Sequence, residues 1–192
     1  KIPGLSENSY HIYDLESTLK FQEVIKNFQG GTIAIGISSL PFKCPAAPYE
    51  VAFLLDHYYE KKGMKEKVKI RFFTPEGLPL AAAGPENGNK ALSFLTSRGI
   101  DAEFKIKLKK VTSKEAIFED DQSIPFDLLF AVPPHRCPAP VEEAGLIDQT
   151  GWVPVNPNTL KTKYDNVYAV GDINSVSTPS CFTPYLPKAG VF

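Results

Sequence analysis

Short apolar segments alternate with helix-like segments through the middle of this chain, and this alternation restricts its fold more than any other feature. TIAIGIS, VKIRFFT and FDLLFAV are rich in β-branched and aromatic residues, as buried strands are. Stretches long enough for helices separate the three. A β-α-β-α-β order predicts an α/β fold, a Rossmann-like parallel sheet covered by helices.

The segment after the first strand has helical periodicity. Val51, Leu54, Leu55 and Tyr58 fall at positions i, i+3, i+4 and i+7, and Gly63 follows them as a stop signal. We therefore predict a helix that extends to about Lys62 and carries these four residues on one apolar face.

Composition excludes several classes of protein. The 192 residues carry a formal net charge of -1, whereas nucleic-acid binders usually show a basic excess. No apolar run approaches the roughly 20 residues of a membrane span. The three cysteines are too few for a secreted disulfide scaffold and too scattered for a zinc site. We therefore predict no nucleic-acid partner and no metal.

The turn PFKCPAAPYE, residues 41–50, stands where a dinucleotide-binding fold places a glycine-rich phosphate loop. It contains no glycine and has three prolines, which lack the N–H groups that a phosphate needs. We therefore predict that it binds no NAD or NADP. Cys44 instead precedes a predicted helix, whose dipole, together with Lys43, favours a thiolate. We expect this thiol to be the most acidic of the three and the fastest to alkylate.

The segment VYAVGD near the end of the chain predicts a second kind of site. We expect a strand at Val167–Val170, followed by Gly171 and Asp172. A glycine lets backbone approach a ligand, and a carboxylate accepts hydrogen bonds from hydroxyls, which is how flavoproteins hold the ribityl chain of FAD. An ordinary strand followed by a turn would have the same sequence pattern, since Gly-Asp is a common turn pair.

Several segments together resemble the sulfide:quinone oxidoreductase and flavocytochrome c sulfide dehydrogenase group. They are PGLSENSYHIYDLE, PFKCPAAPYEVAFLLDHYYEKKG, FDLLFAVPPHR, VPVNPNTLKT and LPKAG. The resemblance implies a pyridine nucleotide-disulfide oxidoreductase fold. In this group the second dinucleotide domain has lost its nicotinamide cofactor, and its turn presents a cysteine to FAD.

The resemblance implies roles for the residues of the redox site. Cys44 is the redox cysteine, and Glu50 matches an acidic residue that the group places nearby. A second cysteine would bridge to Cys44 through sulfur; Cys181 and Cys137 are the candidates, and we favour Cys181. His135 follows a buried strand, where it would either move protons or serve as a structural histidine.

The resemblance also implies the FAD contacts. Gly171 and Asp172 would hold the ribityl chain, and Lys188 of the LPKAG segment would lie near the pyrimidine edge of the flavin. A cation there stabilises the anionic reduced flavin. The neighbouring Pro187, and Pro134 of the PPHR segment, are further cofactor contacts.

Three regions follow from this interpretation. We expect a connector and helix at 1–28, a pseudo-NAD(P)-binding Rossmann-like domain at 29–150, and an incomplete return segment of the FAD domain at 151–192. The GxGxxG sequence that binds the FAD pyrophosphate in this group is absent from the 192 residues. We therefore expect this chain to be the middle and late part of a flavoprotein, inactive by itself.

The predicted function is oxidation of sulfide or another small reduced sulfur species, with FAD as cofactor and a quinone as acceptor. We expect a cytoplasmic protein that contacts the membrane peripherally through segments outside this chain. The sequence leaves open whether the protein forms a homo-oligomer. Two alternatives stay open as well. One is an NADH-dependent flavoprotein dehydrogenase, which the glycine-free turn disfavours. The other is a Rossmann-like binding domain with no catalysis of its own.

Overall fold

A four-stranded parallel sheet is the central element of the structure, a computed structural model that describes residues 1–176. The helices and strands follow in chain order as α1 (Leu5–Asn8), α2 (Leu15–Asn27), β1 (Gly31–Ile37), α3 (Ala47–Lys61), β2 (Val68–Phe73), α4 (Pro85–Ser97), β3 (Asp101–Glu103), β4 (Leu108–Val111), β5 (Glu115–Phe118), β6 (Ser123–Pro125), β7 (Leu128–Val132) and α5 (Ala139–Glu143). Short 3-10 turns lie at Lys65–Lys67, Ala81–Ala83 and Gly171–Ile173. The sheet order is β3-β2-β1-β7, with every pair parallel. This confirms the predicted α/β fold class.

The described residues divide into two compact units. The first comprises residues 1–42 and 46–134, and the second comprises residues 43–45 and 135–176. Each unit has a hydrophobic cluster of its own.

The parallel sheet of the first unit buries both faces, because side chains alternate along each strand. Ile33, Ile35 and Ile37 of β1 belong to one cluster, and residues of α2, α3 and α4 join them there. Ala34 belongs to a second cluster, which includes residues of β4, β5 and β6. These three strands form an antiparallel sheet in the order β4-β5-β6.

Gly36 shows how closely β1 is packed on this second face. A Cβ built on it would lie 2.0 Å from the ring of Phe73, a fully buried side chain. The glycine in TIAIGIS is therefore required by the neighbouring strand, where backbone and ring approach each other too closely for a side chain.

The predicted apolar face of α3 is partly wrong. Val51, Leu55 and Tyr59 are buried, whereas the Leu54 side chain is 66% exposed. The buried residues follow the spacing i, i+4 and i+8, which places them in one stripe on the helix surface. Since successive helical residues are rotated by about 100°, Leu54 is turned away from the stripe that contains Leu55.

The second unit is built around a small cluster of Cys137, Val153 and Ala169. Two isolated bridges, Val153 with Asn174 and Lys161 with Tyr168, connect its segments.

The predicted strand at Val167–Val170 is wrong. Within the described residues this stretch makes only the single bridge at Tyr168. The Tyr168 and Val170 side chains are 60% and 58% exposed, and Ala169 is the residue of this stretch that is buried.

No helix in residues 1–176 is both long enough and apolar enough to cross a membrane. Within the same residues, no group of three or more His, Cys, Asp or Glu side chains could hold a metal ion.

Candidate functional site

Cys44 lies in a short segment, residues 43–45, that belongs to the second unit and is called here the cysteine segment. Cys44 is half-buried, and it forms no disulfide with another cysteine in residues 1–176. Its backbone has a φ of 53°, in the left-handed region that residues other than glycine seldom adopt. Such a conformation costs roughly 1–2 kcal/mol, so neighbouring contacts must hold it.

Helix α3 starts just after the cysteine segment. Ala46 is its N-cap residue, so Cys44 precedes the cap by two positions, and no side-chain hydrogen bond caps this helix within the described residues. The helix dipole acts mainly within the first turn of a helix. In the sequence, Cys44 therefore precedes that turn rather than lying inside it.

Two contacts connect the cysteine segment to other parts of the second unit. The backbone N–H of Lys43 donates to Nδ1 of His135 at 2.6 Å. The Lys43 ammonium lies 4.0 Å from the Asp172 carboxylate, with both side chains more than a third exposed. The structure thus brings together the segments of three predicted site residues, namely Cys44, His135 and Asp172.

The hydrogen bond to His135 fixes where its ring proton lies. A nitrogen that accepts a hydrogen bond from a backbone N–H carries no proton, so neutral His135 has its proton on Nε2. The neutral ring therefore has a protonated Nε2 and an Nδ1 that accepts a hydrogen bond.

Cys137 differs from Cys44 in both burial and bonding. Its side chain is buried, and its Sγ donates to the carbonyl of Ile173 at 3.4 Å. Burial raises the pKa of this thiol above its ordinary value, although a backbone hydrogen bond from Val153 and the charge of Lys43 act in the opposite direction. A buried thiol with a raised pKa is a poor nucleophile.

Gly171 and Asp172 lie in the 3-10 turn of the second unit. Gly171 has a φ of 75°, and a Cβ built on it would meet no described atom within 4 Å. Both residues are exposed. An open backbone beside an exposed carboxylate fits a ligand that carries hydroxyl groups, such as the ribityl chain of FAD.

The remaining predicted residues lie elsewhere. Glu50 is exposed in the first turn of α3, and Pro134 is half-buried two residues after β7, both in the first unit. Cys181, Pro187 and Lys188 lie outside the described residues.

Sequence reasoning missed a buried carboxylate, Glu76, which follows β2 by three residues. It is 5% exposed, and one of its oxygens accepts hydrogen bonds from the Tyr49 hydroxyl at 2.5 Å and from Thr74 Oγ1 at 3.2 Å. Its other oxygen accepts from the Ala81 N–H at 3.2 Å. Burial raises the pKa of Glu76, and the hydrogen bond from Tyr49 opposes that shift.

Glu76 matters for nucleotide binding because it follows the end of a strand of the parallel sheet. Dinucleotide-binding sheets bind their ligand beyond the carboxyl ends of the strands and use an acidic side chain to hold the ribose. Glu76 follows the carboxyl end of β2, but both of its oxygens already accept hydrogen bonds inside the protein. An acidic residue after the second strand was the signal that could have identified it.

The chain is similar to known sulfide:quinone oxidoreductases. Residues 18–74 match the family described as "Sulfide dehydrogenase (flavocytochrome c) flavoprotein chain, central". The mitochondrial sulfide:quinone oxidoreductase of Mus musculus is 27% identical over all of this chain and 45% of its own length. The corresponding protein of Dictyostelium discoideum is 31% identical over 93% of this chain and 42% of its own length.

The fold of this chain also resembles that of a solved sulfide:quinone oxidoreductase. The sulfide:quinone oxidoreductase of Aquifex aeolicus superposes with a TM-score of 0.78 at 24% identity, over 91% of this chain and 43% of that one. The chain therefore spans less than half the length of these relatives.

Proposed function

Because this chain belongs to the sulfide:quinone oxidoreductase and flavocytochrome c sulfide dehydrogenase-like family, we propose that the protein containing it oxidises sulfide with FAD and a quinone. The donor is sulfide or another small reduced sulfur species. One observation carries the proposal: Cys44, His135 and Asp172 lie on segments of one unit that two direct contacts connect.

Cys44 is the residue that we propose carries sulfur during the reaction. The Cys44 residue is half-buried, whereas the Cys137 thiol is buried and donates to a carbonyl. A nucleophile that reacts with sulfur has to be held in one place, and the contacts of Lys43 restrict the residue next to it.

The FAD site is proposed to include Gly171 and Asp172. The exposed carboxylate would accept hydrogen bonds from ribityl hydroxyls, and the glycine leaves room for the ligand beside the backbone. When bound, FAD would supply an acceptor for the electron pair from sulfur and, once reduced, a donor for the quinone. Pro134, Pro187 and Lys188 remain proposed contacts of the flavin.

The second cysteine of the proposed redox pair is Cys181. Its competitor, Cys137, would have to leave a buried position and break its bond to Ile173 before it could react. Glu50 is the group that we propose for proton movement around the site, because its carboxylate is exposed. Of the two roles expected for His135 we propose the structural one, because its Nδ1 already accepts a hydrogen bond and is not available to take up a proton.

Use of NADH is the less favoured alternative. Pro48 in the first turn of α3 offers no N–H to a phosphate, and both oxygens of Glu76 are occupied by internal hydrogen bonds. The first unit is thus proposed to serve as a scaffold rather than a nucleotide site. Since quinones dissolve in membranes, we also propose that the intact protein contacts a membrane surface.

The test is anaerobic reduction of the flavin by sulfide in the flavin-loaded protein that contains this chain. Cys44→Ser should abolish bleaching of the flavin absorbance while leaving FAD bound. Cys137→Ser is the matched control, because a serine hydroxyl can also donate to Ile173, and it should bleach as the parent protein does. Normal bleaching in the Cys44→Ser protein would refute the proposed role of Cys44.

A further inference from the structure

The contact between the cysteine segment and His135 assigns a second role to this histidine. Lys43 directly precedes Cys44 in the chain, and its backbone N–H donates to Nδ1 of His135 at 2.6 Å. A ring nitrogen used in this way cannot also take up a proton without losing the bond. His135 is therefore bonded to the segment that carries the thiol.

Cys44 needs such support because of its backbone conformation. Its φ of 53° lies in the left-handed region, which residues with a Cβ adopt only when surrounding contacts impose it. On one side of Cys44 is the bonded Lys43, and on the other is the buried Pro45, whose ring fixes its own φ.

A second contact of Lys43 is weaker. Its ammonium is 4.0 Å from Asp172, and the two side chains are 37% and 40% exposed. Exposed ion pairs contribute little, because water screens the charges and two flexible side chains lose freedom. The hydrogen bond to His135 is partly buried, and it restrains the backbone itself.

We infer that His135 is a positioning residue for Cys44, acting through Nδ1 as the acceptor of the Lys43 N–H. The reason for positioning Cys44 rests on the proposed function, whereas the hydrogen bond from Lys43 to His135 lies within this chain and does not depend on that function. The residue that it positions, Cys44, is the one that would touch substrate.

Two amide variants separate this role from a general structural one. In His135→Asn the side-chain oxygen can occupy the place of Nδ1 and accept the bond. In His135→Gln the amide reaches instead toward the place of Nε2, so the Lys43 N–H loses its acceptor. Both variants remove the imidazole, and they differ in where an acceptor is offered.

The measurement is hydrogen exchange at the Lys43 amide, together with the alkylation rate of Cys44 by iodoacetamide, in the full chain. We expect exchange in His135→Gln to be faster by about tenfold, as loss of one hydrogen bond implies, and His135→Asn to stay within about twofold of the parent. The alkylation rate of Cys44 in His135→Gln should differ from that of the parent chain, and the rate in His135→Asn should equal that of the parent chain. Equal behaviour of the two variants would overturn the inference.

A spectroscopic measurement on the unaltered chain tests the same point without any substitution. Long-range ¹H–¹⁵N spectra should show the His135 ring with Nδ1 unprotonated and Nε2 protonated. A proton on Nδ1 would overturn the inference. None of these readouts needs sulfide or flavin, so failure here is distinguishable from failure of the proposed function.

Discussion

Removing the hydroxyl of Tyr49 is expected to destabilise the protein in a way that depends on pH. The Tyr49 side chain is 2% exposed, its ring stacks on Phe72 with centroids 4.6 Å apart, and its hydroxyl donates to Glu76. Tyr49→Phe keeps the stacked ring and removes one hydrogen bond to a buried carboxylate, which is worth about 1.5–3 kcal/mol. Thr74 still donates to the same oxygen, so we expect the lower half of that range.

The sign of the pH dependence follows from Glu76. Burial raises the pKa of this carboxyl above its ordinary 4.5, so the folded state holds the proton more tightly than the unfolded state. Its contribution to stability is therefore present below that ordinary value and is lost as pH rises through the folded-state pKa. The bond from Tyr49 opposes the shift, because it stabilises the ionised form. Its removal should cost more at neutral pH than at a pH of about 4.

The assay is urea unfolding followed by far-ultraviolet circular dichroism at both pH values. Tyr59→Phe is the matched control: its hydroxyl donates to the uncharged carbonyl of Ile25 at 2.9 Å, and its loss should cost about 0.5–1.5 kcal/mol at either pH. Burial raises the pKa of Tyr59 to about 12, so this hydroxyl stays protonated throughout. An equal cost for Tyr49→Phe at both pH values would show that the charge of Glu76 does not govern the effect.

Two further predictions concern packing and nucleotide binding. Gly36→Ala should lower the free energy of unfolding by about 1–3 kcal/mol, because the new Cβ would overlap the buried Phe73 ring. Gly77→Ala is the control and should change the free energy of unfolding little, since a Cβ there has only an ordinary 3.5 Å contact. Equal effects of the two substitutions in denaturant titrations would contradict this prediction. Calorimetric titration with NADH should show no micromolar binding, since both oxygens of Glu76 are occupied and Pro41, Pro45 and Pro48 offer no N–H to a phosphate; a micromolar dissociation constant would overturn that expectation.

The strand and helix order of the first unit could be predicted because periodicity and turn signals agree there. Both faces of the parallel sheet are buried, which gives the continuous apolar segments that the sequence shows, such as the one containing Ile33, Ala34 and Ile35. The face of α3 is harder to predict, since Leu54 and Leu55 are chemically alike and only the contacts with the sheet select between them.

The second unit could not be predicted to the same extent. The segment at Val167–Val170 has the composition of a strand, yet a strand forms only where a neighbour completes its hydrogen bonds, and the described residues offer one bridge. Sequence reasoning likewise identified Cys44 and His135 separately. The bond between Lys43 and His135 joins residues 92 positions apart, and no local pattern encodes such a contact.

The cysteine that takes up sulfur can be identified directly. Flavin-loaded protein containing this chain would be treated with sulfide under anaerobic conditions, and the cysteine-containing peptides would then be analysed by mass spectrometry. We expect an added sulfur atom on Cys44 and none on Cys137, whose thiol is buried and bonded to Ile173. Added sulfur on Cys137 alone, or reduction of the flavin with Cys44 unmodified at every time point, would contradict the proposed role of Cys44 as the sulfur carrier.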